Sequence, residues 1–305
     1  MKDKKKKLIF FSAILAIIFA SFCVWRVMDK LNKIKNNSLP AASVVAQSIF
    51  PVNYNWPLFY DAIEKYPAGA EFVENGVLGL IAPHHDLAAD YSAELFQKIC
   101  RYNIKRVIIV GPNHENTGAG DIITGPIAYN LPDGRVNSNQ GMVARIIKEG
   151  IAVSDISRLS TEHSISNITP YVNYCFPEAE IVPLILNNRI TLEQAKALGE
   201  YLAADLNQET IIIASIDFSH YLPTERARVN DEITREALGA RDYQKIYSFN
   251  DDYIDSPATA VTVLTATGQA GAENLEIVNN KNQAEAMGVS SLDSSTSYFT
   301  ILLRR

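Results

Sequence analysis

Four of the five histidines in this 305-residue chain stand just after short, β-branched apolar runs, and this arrangement constrains the fold more than any other feature. Val77–Ala82 (VLGLIA) leads into His84 and His85 within APHHD. Arg106–Val110 (RVIIV) leads into His114 within GPNHE, and Thr210–Ile216 (TIIIASI) into His220 within SIDFSH. Such runs, bounded by turn residues, read as buried strands. Ile181–Leu186 (IVPLIL) is another, with Pro183 pointing to an edge or a bulge. Helical stretches fall between them, near Ala88–Arg101 and over Leu192–Leu206, where Thr191 and Gln194 form a capping box. Ser256-Pro257 opens a further helix that Gly268 closes. Ser297–Leu303 (SYFTILL) reads as the last strand. The alternation predicts a single three-layer α/β/α domain around a central, largely parallel sheet. In open α/β sheets the ligand crevice lies beyond the carboxyl ends of the strands, so these histidines are expected to share one site. Imidazoles gathered in a crevice suit a divalent transition metal. The fifth, His163, lies in the loop segment TEHSIS.

The composition is that of a globular protein, 47% hydrophobic and 20% charged, which excludes a disordered chain. Charge is uneven: residues 1–35 carry +7 and the remainder −13, for a formal total of −6. A body that acidic repels a phosphate backbone, so no nucleic-acid partner is expected. Lys4 to Lys7 precede 18 uncharged residues, Leu8–Trp25 (LIFFSAILAIIFASFCVW). That is close to the roughly 20 that cross a bilayer, and Val27 and Met28 extend it if Arg26 snorkels. No small-residue cleavage site follows. The reading is one transmembrane helix as an uncleaved anchor over residues 1–28, a juxtamembrane linker over 29–46 and a metal-binding body over 47–305. Basic residues flank the span on both sides, and the balance leans to a single-pass protein with an extracytoplasmic body. Three cysteines, with Cys23 inside the apolar run, cannot build a disulfide framework. One bridge, Cys100 to Cys175, can be drawn, with nothing in the sequence to support it.

Other chemistries fit less well. There is no Cys-x-x-Cys, no His-Glu-x-x-His and no Gly-x-Ser-x-Gly elbow. Gly118-Ala119-Gly120 has no helix after it and reads as a flexible turn. Glu162, His163 and Ser164 supply the residue types of a hydrolase triad, but adjacent residues cannot adopt its geometry.

APHHD, GPNH, EHSI, ASIDFSH and DSSTSY occur in the order seen in the MEMO family, whose bacterial members are called AmmeMemoRadiSam system protein B. The chain resembles that family over roughly residues 48–305. The family is similar to the metal-dependent class III extradiol dioxygenases, an α/β/α sandwich around one metal site. The resemblance implies metal ligation by His84 and His114, and a base-like His220 beside Asp217. The family's third ligand is a cysteine; this chain has Asp255-Ser256-Pro257 there, and Ser166 where the family's EHSIE segment ends in Glu. The resemblance also implies either iron- or copper-dependent redox chemistry or recognition of a peptide by the same cleft. A metal-assisted hydrolase is the third class.

Asp255 is therefore expected to complete a triad with His84 and His114. It precedes a helix start, where the helix dipole favours an ionised side chain. Two histidines and a carboxylate are the donor set of non-heme iron(II), so iron is favoured, with copper, zinc or manganese as alternatives. The plainer reading of Asp255 is a helix cap. Asp217 and His220 are expected to act as a catalytic pair outside the metal shell, with His163 as a further pocket residue. The plainer reading has Asp217 capping a turn and His220 packing on Tyr221. His85 is either a neighbour of the site or a surface residue. The expected ligand is a small molecule or a peptide.

Overall fold

The β-branched runs do form the strands that carry the site. The computed structural model describes residues 46–305 except 52, 53 and 75. The expected anchor lies outside the described residues. Among the described residues no helix is long and apolar enough to cross a membrane. The strands are β1 (Gln47–Ile49), β2 (Val77–Ala82), β3 (Arg106–Pro112), β4 (Ile122–Thr124), β5 (Ile127–Leu131) and β6 (Gly134–Asn137). Then follow β7 (Val153–Ser154), β8 (Glu180–Leu186), β9 (Thr210–Ser215), β10 (Phe218–Leu222), β11 (Asn274–Asn282) and β12 (Ser295–Arg304).

The main sheet runs β10-β12-β2-β9-β3-β8-β4-β7, with β11 also paired to β12; β1, β5 and β6 form a separate small sheet. The centre is parallel, β2 with β9 and β9 with β3 with β8, and so is the edge pair β4 with β7. β12 is antiparallel to β2, β10 and β11, and β4 is antiparallel to β8. The sheet is thus mixed rather than largely parallel. Antiparallel neighbours need no crossover over the sheet, and β11 returns to β12 through a connection that holds only the one-turn helix Gln283–Ala286.

Strand alternation splits the core into two layers. Ile108, Val110, Ile212 and Ala214 face one layer with the helices Leu192–Ala203 and Pro257–Gln269. Val107, Ile109, Ile211 and Ile213 face the other with the helices Trp56–Lys65, Ala89–Gln97 and Thr169–Cys175. The result is a three-layer α/β domain. The Thr191–Gln194 capping box opens its helix as expected.

The Pro183 expectation needs correcting, because β8 is interior, flanked by β3 and β4. A proline is tolerated because β4 pairs only with Ile185 and Leu186, so no ladder there requires the missing N–H. Cys100 and Cys175 are joined in a disulfide that ties the end of one helix to another, with a Cα separation of 4.5 Å.

Candidate metal centre

The carboxyl ends of β2, β3, β9 and β10 open into a cavity of about 770 Å³ that His84, His114, His163, His220, Asp217 and Asp255 all line. His84 is buried. Its amide donates to Asp217 Oδ1 at 3.2 Å, and its Nδ1 lies 3.2 Å from Ser215 Oγ. The Ser215 hydroxyl donates to the Ser164 carbonyl, so its oxygen is left to accept from Nδ1–H. That leaves Nε2 as the bare nitrogen, 3.5 Å from Asp217 Oδ2 and 3.4 Å from Asp255 Oδ2. Burial lowers the His84 pKa to about 3, against the pull of Asp217 and with His114 and His163 adding to the fall. The ring is neutral, as a metal ligand must be.

His114 is built in the same way by a different partner. Its Nδ1 lies 2.7 Å from Glu162 Oε1 and its amide donates to Oε2 at 3.0 Å. The Ser164 amide also donates to Glu162, at 2.9 Å. Burial opposes ionisation of Glu162, but His114 and these amides outweigh it and lower the pKa to about 2. With Nδ1–H held by a carboxylate, His114 also presents Nε2. His163 stacks on His114, ring centroids 4.1 Å apart, and meets His84 edge-on at 5.1 Å. Gly111 at the end of β3 permits this closeness, since a Cβ there would lie 2.6 Å from Ser164 Oγ. Ser164 itself is buried and its hydroxyl donates to the Pro112 carbonyl, so it is no nucleophile.

Asp255 is not the helix N-cap. Ser256 holds that position, and the carboxylate of Asp255 accepts instead from the Asp217 amide at 3.1 Å. The helix it precedes is buried all round, Ala258 through Thr267, which draws Asp255 inward to 9% side-chain exposure. Burial, and then the charge of Asp217, raise its pKa well above the carboxylate range. Its Oδ1 is buried with no hydrogen-bond partner. Asp217 is held below the usual range because His84, His85 and His220 outweigh its burial.

Among the described residues two groups could hold a metal ion: His84 with His114 and His163, and His84 with Asp217 and Asp255, the ligand atoms of each within 4.8 Å of one another. His84 belongs to both. A bare Nε2 facing two carboxylates and an orphaned buried oxygen is an arrangement of acceptors that a cation satisfies, so the residues fit a metal.

The expected Asp217–His220 pair is arranged differently, because Phe218–Leu222 continues as a strand rather than a turn. Asp217 turns to His84, whereas His220 lines the cavity with its Nδ1 unpartnered and its amide donating to the Asp251 carbonyl. Behind it sits a residue the sequence did not reveal. Buried Asp231 accepts from Ser219 at 2.8 Å, Ser297 at 2.6 Å and Asn280 at 2.9 Å, clamping β10, β11 and β12 together. This accounts for Ser297 of DSSTSY; the following Tyr298 meets His85 Nδ1 through its hydroxyl at 3.0 Å. Ser166 is buried against Asn167.

Comparison with known proteins finds relatives of this chain. A MEMO1 family protein of Pyrobaculum aerophilum is 27% identical over 238 residues, covering 75% of this chain and 84% of its own. One of Caldivirga maquilingensis is 26% identical over 76% of this chain and 86% of its own. One of Methanopyrus kandleri is 26% identical over 74% and 83%. The family described as Memo-like protein matches residues 60–302, a span that contains every histidine and carboxylate of the centre. The chain therefore belongs to the Memo-like protein family.

Proposed function

We propose that this is a metal-dependent oxidoreductase that binds one divalent metal through His84 and His114, with Asp255 as the third ligand. The observation that carries the reading is the matched preparation of the two imidazoles, each with Nδ1 tied back and Nε2 left free. Histidine and carboxylate donors favour iron, with zinc, manganese and copper next. When bound, the metal would supply Lewis acidity and redox capacity to the cavity. The chain's own groups do the rest. Glu162 and Ser215 fix the rings, and His220 holds or accepts a proton at the cavity wall. His163, grouped with His84 and His114, and Asp217, grouped with His84 and Asp255, are the alternative ligands.

Metal analysis of full-length protein purified without added metal, followed by oxygen uptake, tests this reading. Iron at about one equivalent and measurable uptake are expected. A metal-free protein, or a zinc protein active without oxygen, would overturn it. His220→Ala should keep the metal and lose turnover; loss of metal would make His220 a ligand.

The apolar Leu8–Trp25 run supports membrane anchoring. The Cys100–Cys175 disulfide supports an oxidising, extracytoplasmic compartment. Protease shaving of right-side-out vesicles should then remove the body. Protection of the body, or recovery of intact chain in the soluble fraction, counts against this placement.

A further inference from the structure

We infer that the Cys100–Cys175 disulfide is a redox-sensitive latch on the metal centre. Closed, it holds in register the two chain segments that position the imidazoles; opened to two thiols, it loosens them and weakens the metal. The inference rests on the metal reading above for one of its two readouts, and the other needs no metal.

The two cysteines close a ladder whose other end is the centre. One rail starts at His84 and runs through the helix Ala89–Gln97 to Cys100. The other starts at Glu162 and His163 and runs through the helix Thr169–Cys175. Asn167 Nδ2 donates to the His84 carbonyl at 2.9 Å and to Asp86 Oδ1 at 3.4 Å. Farther along, the Tyr171 hydroxyl donates to the Ala89 carbonyl at 3.3 Å, and its ring stacks on Phe96 with centroids 5.2 Å apart. The disulfide is the last rung. Partners advance together on both rails, from His84 with Asn167 to Cys100 with Cys175, so the segments run side by side in the same direction.

The rails carry what the centre needs. His84 stands on the first, and His163 stands on the second with Glu162, which holds His114 Nδ1. A shift of one rail along the other therefore moves His84 against His114 and His163, and groups that orient ligands set metal affinity. Two of the three hydrogen-bonded rungs are long for their type, which leaves the covalent rung as the firm one.

Opening is a two-electron exchange. A dithiol attacks, the Cys100–Cys175 bond breaks, each sulfur gains a hydrogen, and the dithiol closes to its own disulfide. Cys175 is buried and Cys100 partly exposed, which sets the side of approach. The coupling is reciprocal: metal favours the closed latch by the same factor by which the closed latch favours metal.

The test uses full-length Cys23→Ser protein in detergent, so that only this pair exchanges. Manganese(II), a hard cation that thiols bind weakly, is the probe. The disulfide form should bind it at least about fivefold more tightly than the dithiol form, and manganese should shift the dithiothreitol titration of the pair by the same factor. In metal-free protein, reduction should speed hydrogen exchange at the His114 and Ser164 amides, which donate to Glu162, and leave β9 unchanged. Asn167→Ala, which removes the rung next to His84, should bring the affinity ratio within about twofold of one. Equal affinities in the two forms, exchange that rises evenly across the sheet, unfolding on reduction, or an undiminished ratio in Asn167→Ala each overturns the inference. A protein that binds neither manganese nor iron in either form fails the metal reading, and the His114 and Ser164 amides then decide the latch alone. Faster exchange on reduction upholds it, and unchanged exchange overturns it.

Discussion

The two sides of His84 are built on opposite electrostatic plans. On the Glu162 side, one buried carboxylate collects His114 Nδ1–H and two backbone amides, and its pKa falls to about 2. On the Asp255 side, two carboxylates share the space around a bare imidazole nitrogen, and one of them keeps an oxygen with no partner. The first is complete without a metal and serves to aim ligands. The second is complete only when a cation or a proton occupies it. On the proposed metal reading, aiming and binding are divided between separate acids, which lets the aiming half be rigid while the binding half stays poised.

Because His84 belongs to both groups, removing it erases the distinction. His84→Ala should lower metal affinity by at least about 100-fold, read as metal content after dialysis against a weak chelator. Metal retained at wild-type stoichiometry would move the centre to His114 and His163.

Acid should break the metal-free protein on the His84 account first. Its folded pKa of about 3 lies below the ordinary 6.5, so the associated stability is fully present above pH 6.5 and is lost as pH falls toward 3. That loss amounts to at most about 5 kcal/mol. Glu162 adds to it, its share being present above pH 4.5 and lost as pH falls through about 2. Asp255 works the other way, since its raised pKa makes ionisation in the folded state costly. Thermal melts of metal-free protein across this range should show stability declining from near pH 6.5; a flat profile down to pH 4.5 would contradict a neutral buried His84.

The paired amides Glu162→Gln and Asp255→Asn should separate the two plans directly. Glu162→Gln disturbs a satisfied hub, so it should destabilise the fold by about 2–3 kcal/mol and weaken metal binding by about 10–100-fold. Asp255→Asn removes a strained acid and should stabilise the metal-free protein by about 1 kcal/mol while weakening metal binding at least as much. Equal destabilisation of both metal-free variants would show that Asp255 is structural. Least affected should be Thr191→Ala, remote from the centre: it removes a capping-box hydroxyl, costing about 1 kcal/mol with metal content unchanged, as denaturant melts would show.

The sequence made the centre's location legible because buried parallel strands are continuous apolar runs, and their ends are where polar residues cluster. His84, His114 and His220 fell out of that rule. Strand direction did not, since a run such as SYFTILL reads the same whichever way it pairs. β11 was missed because Glu276, Asn279, Asn280 and Lys281 dilute its apolar residues on a half-exposed strand. Glu162 stood in plain view beside His163, but its importance comes from complete burial, which no local pattern announces. Asp231 was hidden for the same reason, lying on the helix Thr224–Gly239 while serving three strands.

The place of β12 in the sheet carries a consequence for timing. His84 follows β2, yet Ile81 of that strand pairs with Ile301, and Ser297 reaches back to the acid that clamps His220's strand. A nascent chain that has emitted all five histidines still lacks the strand that aligns two of their carriers. Contacts this distant in sequence form late, after the local helices and hairpins. The ligands are therefore aligned only once synthesis has passed residue 300, and a metal taken up earlier would meet loose imidazoles rather than this centre. On the proposed metal reading, loading belongs to the finished fold, which leaves the choice of metal to the compartment where folding ends.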